Sequence, residues 1–127
     1  MVAYSFAPRF ASLVESGQKT QTIRAHRKRH ARPGEPVQLF TGMRTRACRR
    51  LLSPDPVCDV VFSIEMLFEV GCPGGLIRPA GATDWAPISD DFARSDGFAD
   101  AGDMRGFWVN TWGIGRFEGV LIGWERA

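Results

Sequence analysis

The segment Gly17-Gln18-Lys19-Thr20-Gln21-Thr22-Ile23-Arg24 gathers a primary amine, two hydroxyls and a guanidinium within eight residues. That set permits nucleophilic chemistry. A threonine hydroxyl is a poor nucleophile until a base accepts its proton. A lysine serves as that base only when part of its population is neutral, and both burial and neighbouring cations push it that way because each disfavours the ammonium. Arg24 and the run Arg27-Lys28-Arg29 supply the cations, and lysine–hydroxyl pairs are one form of the nucleophile–base arrangement. The same residues also permit simple binding, with Lys19 and Arg24 on phosphate oxygens and Thr20 and Thr22 favouring an extended chain. In a strand, Thr20, Thr22 and Arg24 share one face and Lys19 lies on the other. A twist or bulge at Gly17-Gln18 is therefore required to bring Lys19 to Thr22.

Charge surrounds this segment unevenly. Residues 1–50 contain eleven lysines and arginines against two acids, Glu15 and Glu35, whereas residues 51–127 contain five against twelve. Such asymmetry speaks to partners rather than to fold. The clusters Arg24–Arg32 and Arg44–Arg50 would form a positive face for phosphates if they converge, and arginine's planar fork suits phosphate oxygens. Arg27, Lys28, Arg29, Arg44 and Arg46 are the candidate nucleic-acid contacts. Trp85, in a loop, is the candidate for stacking on a base. Trp108 and Trp124 sit in apolar patterns and read as core.

Local signals set the elements that must hold these groups. Pro8–Ser16 reads as a helix, with Pro8 at its first turn and Phe10, Leu13 and Val14 at helical spacing, and Gly17 is placed to end it. Lys19–Arg24 reads as extended. Pro33-Gly34-Glu35-Pro36 is a turn, Val37–Thr41 a strand, and Thr45–Leu52 its continuation past a bend at Gly42. Val57–Ile64 is the candidate central strand and Leu67–Val70 a further one. Residues 71–87, rich in glycine and proline, read as a long loop or lid. Ser89-Asp90-Asp91 opens a helix ending at Asp96-Gly97, Asp100–Trp112 forms another, and Phe117–Trp124 is a closing strand. With 127 residues and 44% hydrophobic content, one domain over residues 1–127 is expected. Its class is α+β, a small mixed barrel of about five to six strands with two or three short helices.

No apolar run approaches the roughly 20 residues of a membrane span, and the N-terminus lacks the basic and apolar regions of a signal peptide. Cys48, Cys58 and Cys72 form no CxxC pair, as expected of free thiols in a reducing cytoplasm. His26 and His30 flank Arg27-Lys28-Arg29, cations that repel a metal ion, so neither metal nor cofactor is expected.

Gly17-x-Lys19-x-x-Thr22-x-Arg24, following a short helix, resembles the signature of the ASCH domains, members of the PUA-like group of small β-barrels. Further similarity lies in Pro33–Leu39, in Ala93-Arg94-Ser95-Asp96-Gly97-Phe98, in Asp103-Met104-x-x-Phe107-Trp108 and in Phe117-x-Gly119-x-Leu121-Ile122-x-Trp124. The resemblance spans nearly the whole chain. It implies RNA-related roles, by analogy with RNA-binding PUA domains. Some small bacterial members remove the acetyl group from acetylated cytidine, and others are linked to RNA cleavage. In the amidohydrolases a threonine, a lysine and a glutamate act together. Thr22 and Lys19 match the first two, and Asp96 is the nearest match to the glutamate, one methylene shorter, with Asp90 and Asp91 as other candidates. The resemblance thus implies an RNA, nucleotide or nucleoside ligand bound around Gly17, Lys19, Thr20, Thr22 and Arg24. Amidohydrolase or ribonuclease activity stands beside simple binding, in a chain expected to be cytoplasmic and monomeric.

Overall fold

In the first strand Val2, Tyr4 and Phe6 alternate with Ala3 and Ser5, and the three larger side chains point into the core. This computed structural model describes residues 2–126. The elements run β1 (Val2–Phe6), α1 (Pro8–Ser16), β2 (Gln21–Arg24), β3 (Val37–Thr41), β4 (Arg49–Arg50), β5 (Val57–Phe68), β6 (Leu76–Pro79), β7 (Ala86–Pro87), α2 (Asp90–Ser95), α3 (Ala101–Trp112) and β8 (Gly115–Glu125). The fold is α+β, with eight strands in two sheets and three helices among the described residues. The count exceeds the expected five to six because β4 and β7 are two-residue pieces and because β1 carries no turn or length signal that marks it as a strand in isolation.

The first sheet has the order β1-β3-β4, with β1 parallel to β3 and β4 antiparallel to it. The second has the order β2-β8-β5-β6-β7 and is antiparallel throughout. A bridge between Pro36 and Val57 ties the sheets together at one corner. Elsewhere side chains make the join. β1 and β2 are edge strands of different sheets. Arg24 Nη2 donates to the Ser5 carbonyl at 2.7 Å, and Arg27 Nη2 to the Ala3 carbonyl at 3.4 Å. Guanidinium donors thus occupy carbonyls along the edge of β1 that a neighbouring strand would otherwise use.

Three expectations are corrected. Only Arg49–Arg50 of the Thr45–Leu52 stretch is a strand, since the chain turns through residues 43–47 with Arg44 at φ 65°. Leu67 and Phe68 belong to β5 itself, because the antiparallel ladder to β8 runs unbroken past Ile64 to Phe68. The glycine- and proline-rich stretch 71–87 is not a continuous loop: β6 pairs with β5, and β7 with β6. The central position of β5 is as expected.

The core lies between the sheets and under the helices, with Tyr4, Leu39, Ile64, Met66, Met104 and Ile122 almost fully buried. Trp108 and Trp124 are core residues too. Ile122 lies opposite Thr22 in the β2–β8 ladder. Ile122→Ala should cost about 2–5 kcal/mol, the transfer term plus the cavity it leaves. Urea unfolding tests this: the midpoint should fall with the slope unchanged. Among the described residues no helix is long and apolar enough to cross a membrane.

Candidate functional site

Three backbone hydrogen bonds place Lys19. Helix α1 ends at Gly17 in the left-handed region, φ 85°, which glycine adopts without a Cβ penalty. The chain then reverses so that Lys19 N–H reaches the Leu13 carbonyl at 3.0 Å. Thr20 N–H donates to Ser95 at the end of α2, and the Thr20 carbonyl accepts from Trp124 N–H in β8. The segment is therefore held by three elements before β2 begins at Gln21. Strand alternation does not govern residue 19, and its side chain turns inward on the same side as Thr22. The twist anticipated at Gly17-Gln18 is this reversal.

Lys19, Thr22, Arg24 and Asp96 line one cavity of about 230 Å³ together with Ser5, Phe6, Phe10, Phe98, Phe107, Trp108 and Trp112. Lys19, Thr22 and Asp96 are 3%, 5% and 3% exposed, the depth that makes their ionisation and hydrogen bonding matter. The Lys19 ammonium donates to the backbone carbonyl of Asp96. Its distance to Asp96 Oδ1 is 3.9 Å, too long for a hydrogen bond but close enough for strong attraction. Phe10 and Phe6 lie beneath it, with ring centres 4.8 and 5.6 Å from Nζ. Burial pulls the Lys19 pKa down to about 8; Asp96 pulls it back up, and Arg24 and Arg9 lower it further. Burial likewise pushes the Asp96 carboxyl up to about 6, against the opposing influence of Lys19 and smaller ones of Gln21 and Arg24. Asp96 Oδ1 and Gln21 Nε2 are both buried without a hydrogen-bond partner, so Lys19 meets this carboxyl as a charge across 3.9 Å rather than as a hydrogen-bond donor.

Thr22 and Arg24 share the inward face of β2, and Arg24 Nε donates to Thr22 Oγ1 at 3.0 Å. The guanidinium thereby occupies a lone pair of the hydroxyl and favours its alkoxide. An amine of lowered basicity, a hydroxyl that accepts from a cation and a buried carboxyl therefore line one cavity.

The structure separates the remaining sequence candidates. Asp90 and Asp91 are exposed in the first turn of α2; Asp90 accepts from Ala101 N–H and Asp91 pairs with Arg94. Of the three acids considered, only Asp96 enters the cavity. Thr20 faces solvent and acts through its backbone, and Gly17 acts as the helix stop. Arg27, Lys28, Arg29, Arg44 and Arg46 are exposed and do not line the cavity, and neither does His26. Arg29 is paired with Glu35. Trp85 does not line this cavity: its ring lies over the Arg78 guanidinium at 4.1 Å, and Arg78 is bound to the buried Glu65.

Sequence reading missed the aromatic wall. Phe10, Phe98 and Phe107 meet edge to face or tilted, with centres 5.3–5.5 Å apart. Trp112 stacks near Trp108 at 6.3 Å and is 59% exposed, which sets it at the mouth. The spacing of 107, 108, 111 and 112 on one helix was the available signal. Comparison with protein-family models, curated proteins and solved structures finds no match to this chain.

Proposed function

We propose that this chain is an ASCH-type amidohydrolase that removes the acetyl group from the exocyclic amine of acetylated cytidine. The observation that carries the reading is the convergence of Lys19, Thr22 and Asp96 in one aromatic-lined cavity. A volume of about 230 Å³ suits one flat heterocycle rather than a length of strand, and aromatic walls suit its faces.

In this reading Lys19, neutral in part of the population, takes the proton of Thr22 as Oγ1 attacks the acetyl carbonyl. The free donors of Arg24 stabilise the oxyanion. Collapse breaks the C–N bond, and the proton passes from Lys19 to the departing amine. Water, deprotonated by Lys19, then attacks the acyl-threonine ester, releasing acetate and restoring the Thr22 hydroxyl. Asp96 is a positioning residue: its carbonyl directs the Lys19 amine, and its carboxyl sets the charge balance around it.

Incubation with acetylated cytidine, followed by chromatography, should yield free cytidine, and Thr22→Ala should reduce the yield to background. Release that survives in both Thr22→Ala and Lys19→Ala would exclude these roles. Binding without turnover, to RNA or a nucleotide, is the second reading. It is supported by the exposed cations Arg27 and Lys28, which follow Arg24 in the chain. Ligand binding by a chain that releases no cytidine would favour it.

A further inference from the structure

Arg24 and Arg27 are neighbours in space as well as in sequence. Their guanidinium carbons lie 5.4 and 4.6 Å from the centre of the same Tyr4 ring. Each is held by a carbonyl of β1, Ser5 for Arg24 and Ala3 for Arg27. Arg27 Nε also donates to the Arg29 carbonyl at 2.9 Å. These bonds fix orientation but neutralise no charge. Among the described residues neither guanidinium forms a salt bridge to a carboxylate. Of the acids, only Asp96 bears on Arg24, and its carboxyl faces Lys19. His30, bonded to the Tyr4 hydroxyl, extends the group; burial disfavours its charged form most, and Arg27 and Arg24 add to that.

Two like charges fixed on one ring, one of them largely desolvated, raise the free energy of the empty site unless an anion joins them. Tying the edge of β1 to β2 requires donors, which neutral side chains also provide; it does not require two adjacent formal charges. Arg24 lines the cavity and Arg27 lies outside it on the exposed surface, so the pair links the cavity to the surface around Tyr4. Nη1 of each guanidinium is engaged by no protein acceptor among the described residues.

We infer that Arg24 and Arg27, held on Tyr4 beside the cavity, form a phosphate subsite, so that the preferred ligand is a phosphate-bearing nucleotide unit rather than a free nucleoside. The inference rests on the proposed reading in one respect, that the cavity takes the base. The phosphate would come from a mononucleotide or from a link in an RNA chain, and both present the same oxygens to the two forks.

The test is titration of wild type and Arg27→Ala with cytidine, cytidine 5′-monophosphate, inorganic phosphate and a short cytidine-containing oligoribonucleotide. Tryptophan fluorescence reads occupancy, since Trp108 and Trp112 line the cavity. Wild type should bind the monophosphate about tenfold or more tightly than cytidine, a preference that shrinks as salt is raised. Arg27→Ala should lose that preference and bind cytidine as wild type does. Arg27→Lys, keeping charge without the fork, should recover only part of it. An oligoribonucleotide that outbinds the monophosphate identifies an RNA link as the source; equal or weaker binding identifies the mononucleotide. Equal affinity for cytidine and its monophosphate in wild type would overturn the subsite and leave the base-binding reading intact. Binding of inorganic phosphate that depends on Arg27, with no response to cytidine, would retain the subsite and overturn the reading of the cavity. A preference unchanged in Arg27→Ala would assign the phosphate elsewhere.

Discussion

On the proposed reading, Lys19→Met should reduce hydrolysis of acetylated cytidine by about 10²–10⁴-fold, the usual contribution of a positioned acid–base group, while the chain still folds. Methionine keeps the length and apolar stem of lysine and removes only the amine. The partner left behind is Asp96, whose burial already pushes its carboxyl up to about 6. Without the ammonium it rises further and becomes neutral instead of remaining a stranded charge. Thermal unfolding at several pH values should therefore show the variant relatively more stable in mild acid, and a rate assay on the same sample reads the catalytic loss. A variant that turns over near the wild-type rate at any pH would remove Lys19 from the mechanism.

The signs of the pH dependence follow from the same pair. Lys19 has a lower pKa folded than unfolded, so between about 8 and 10.5 the unfolded chain holds a proton that the folded chain has lost. Its contribution to stability is present above that window and is lost as pH falls through about 8. Asp96 is raised, so its contribution is present below the unfolded value of 3.8 and is lost as pH rises through about 6. The pair therefore stabilises the fold least between those two values, the range in which both groups are charged. The rate should rise with pH through about 8 as Lys19 loses its proton. Asp96→Asn removes the attraction that holds that proton, and should shift the rise to lower pH; a purely structural Asp96 would change stability and leave the profile where it is.

The sequence disclosed the members of this site better than their arrangement. Helices α1, α2 and α3 were legible because caps and spacing are local: Pro8, Gly17, Ser89 and Asp100 each mark a boundary through the backbone conformation or hydrogen bond they supply. Strands β6 and β7 were not, because a two- or four-residue strand exists only through its partner across the sheet. Lys19 and Thr22 stood out by chemistry, yet alternation put them on opposite faces. What brings them together is a backbone bond from Thr20 to Ser95, a residue distant in sequence. The resemblance already favoured Asp96 over Asp90 and Asp91; its burial in the cavity beside Lys19 depends on tertiary packing, which no local pattern records. The contact of Trp85 with Arg78 was not legible, because a loop aromatic and a ring laid on a guanidinium read alike in sequence.

Gly97→Ala should damage both stability and activity, because Gly97 shapes the position of the base. Its φ is +93°, a conformation that side chains rarely adopt, and it turns the chain at the end of α2 so that the preceding carbonyl of Asp96 meets the Lys19 amine. A Cβ there would lie 2.8 Å from Lys19 Cδ and 3.0 Å from Phe10 Cδ1. Both neighbours are buried, so neither clears the clash by swinging into solvent. Backbone strain of about 1–3 kcal/mol adds to the overpacking. Relief comes at the least restrained atom, the lysine side chain, which moves away from Asp96 and toward the cavity. A displacement on the order of 1 Å at a catalytic group costs about 10²-fold in rate. The expected result is therefore a lowered unfolding midpoint together with a loss of turnover that persists at temperatures where the variant is fully folded. Full activity in the folded variant would mean that Lys19 tolerates displacement, and that its placement by Asp96 is not part of the chemistry.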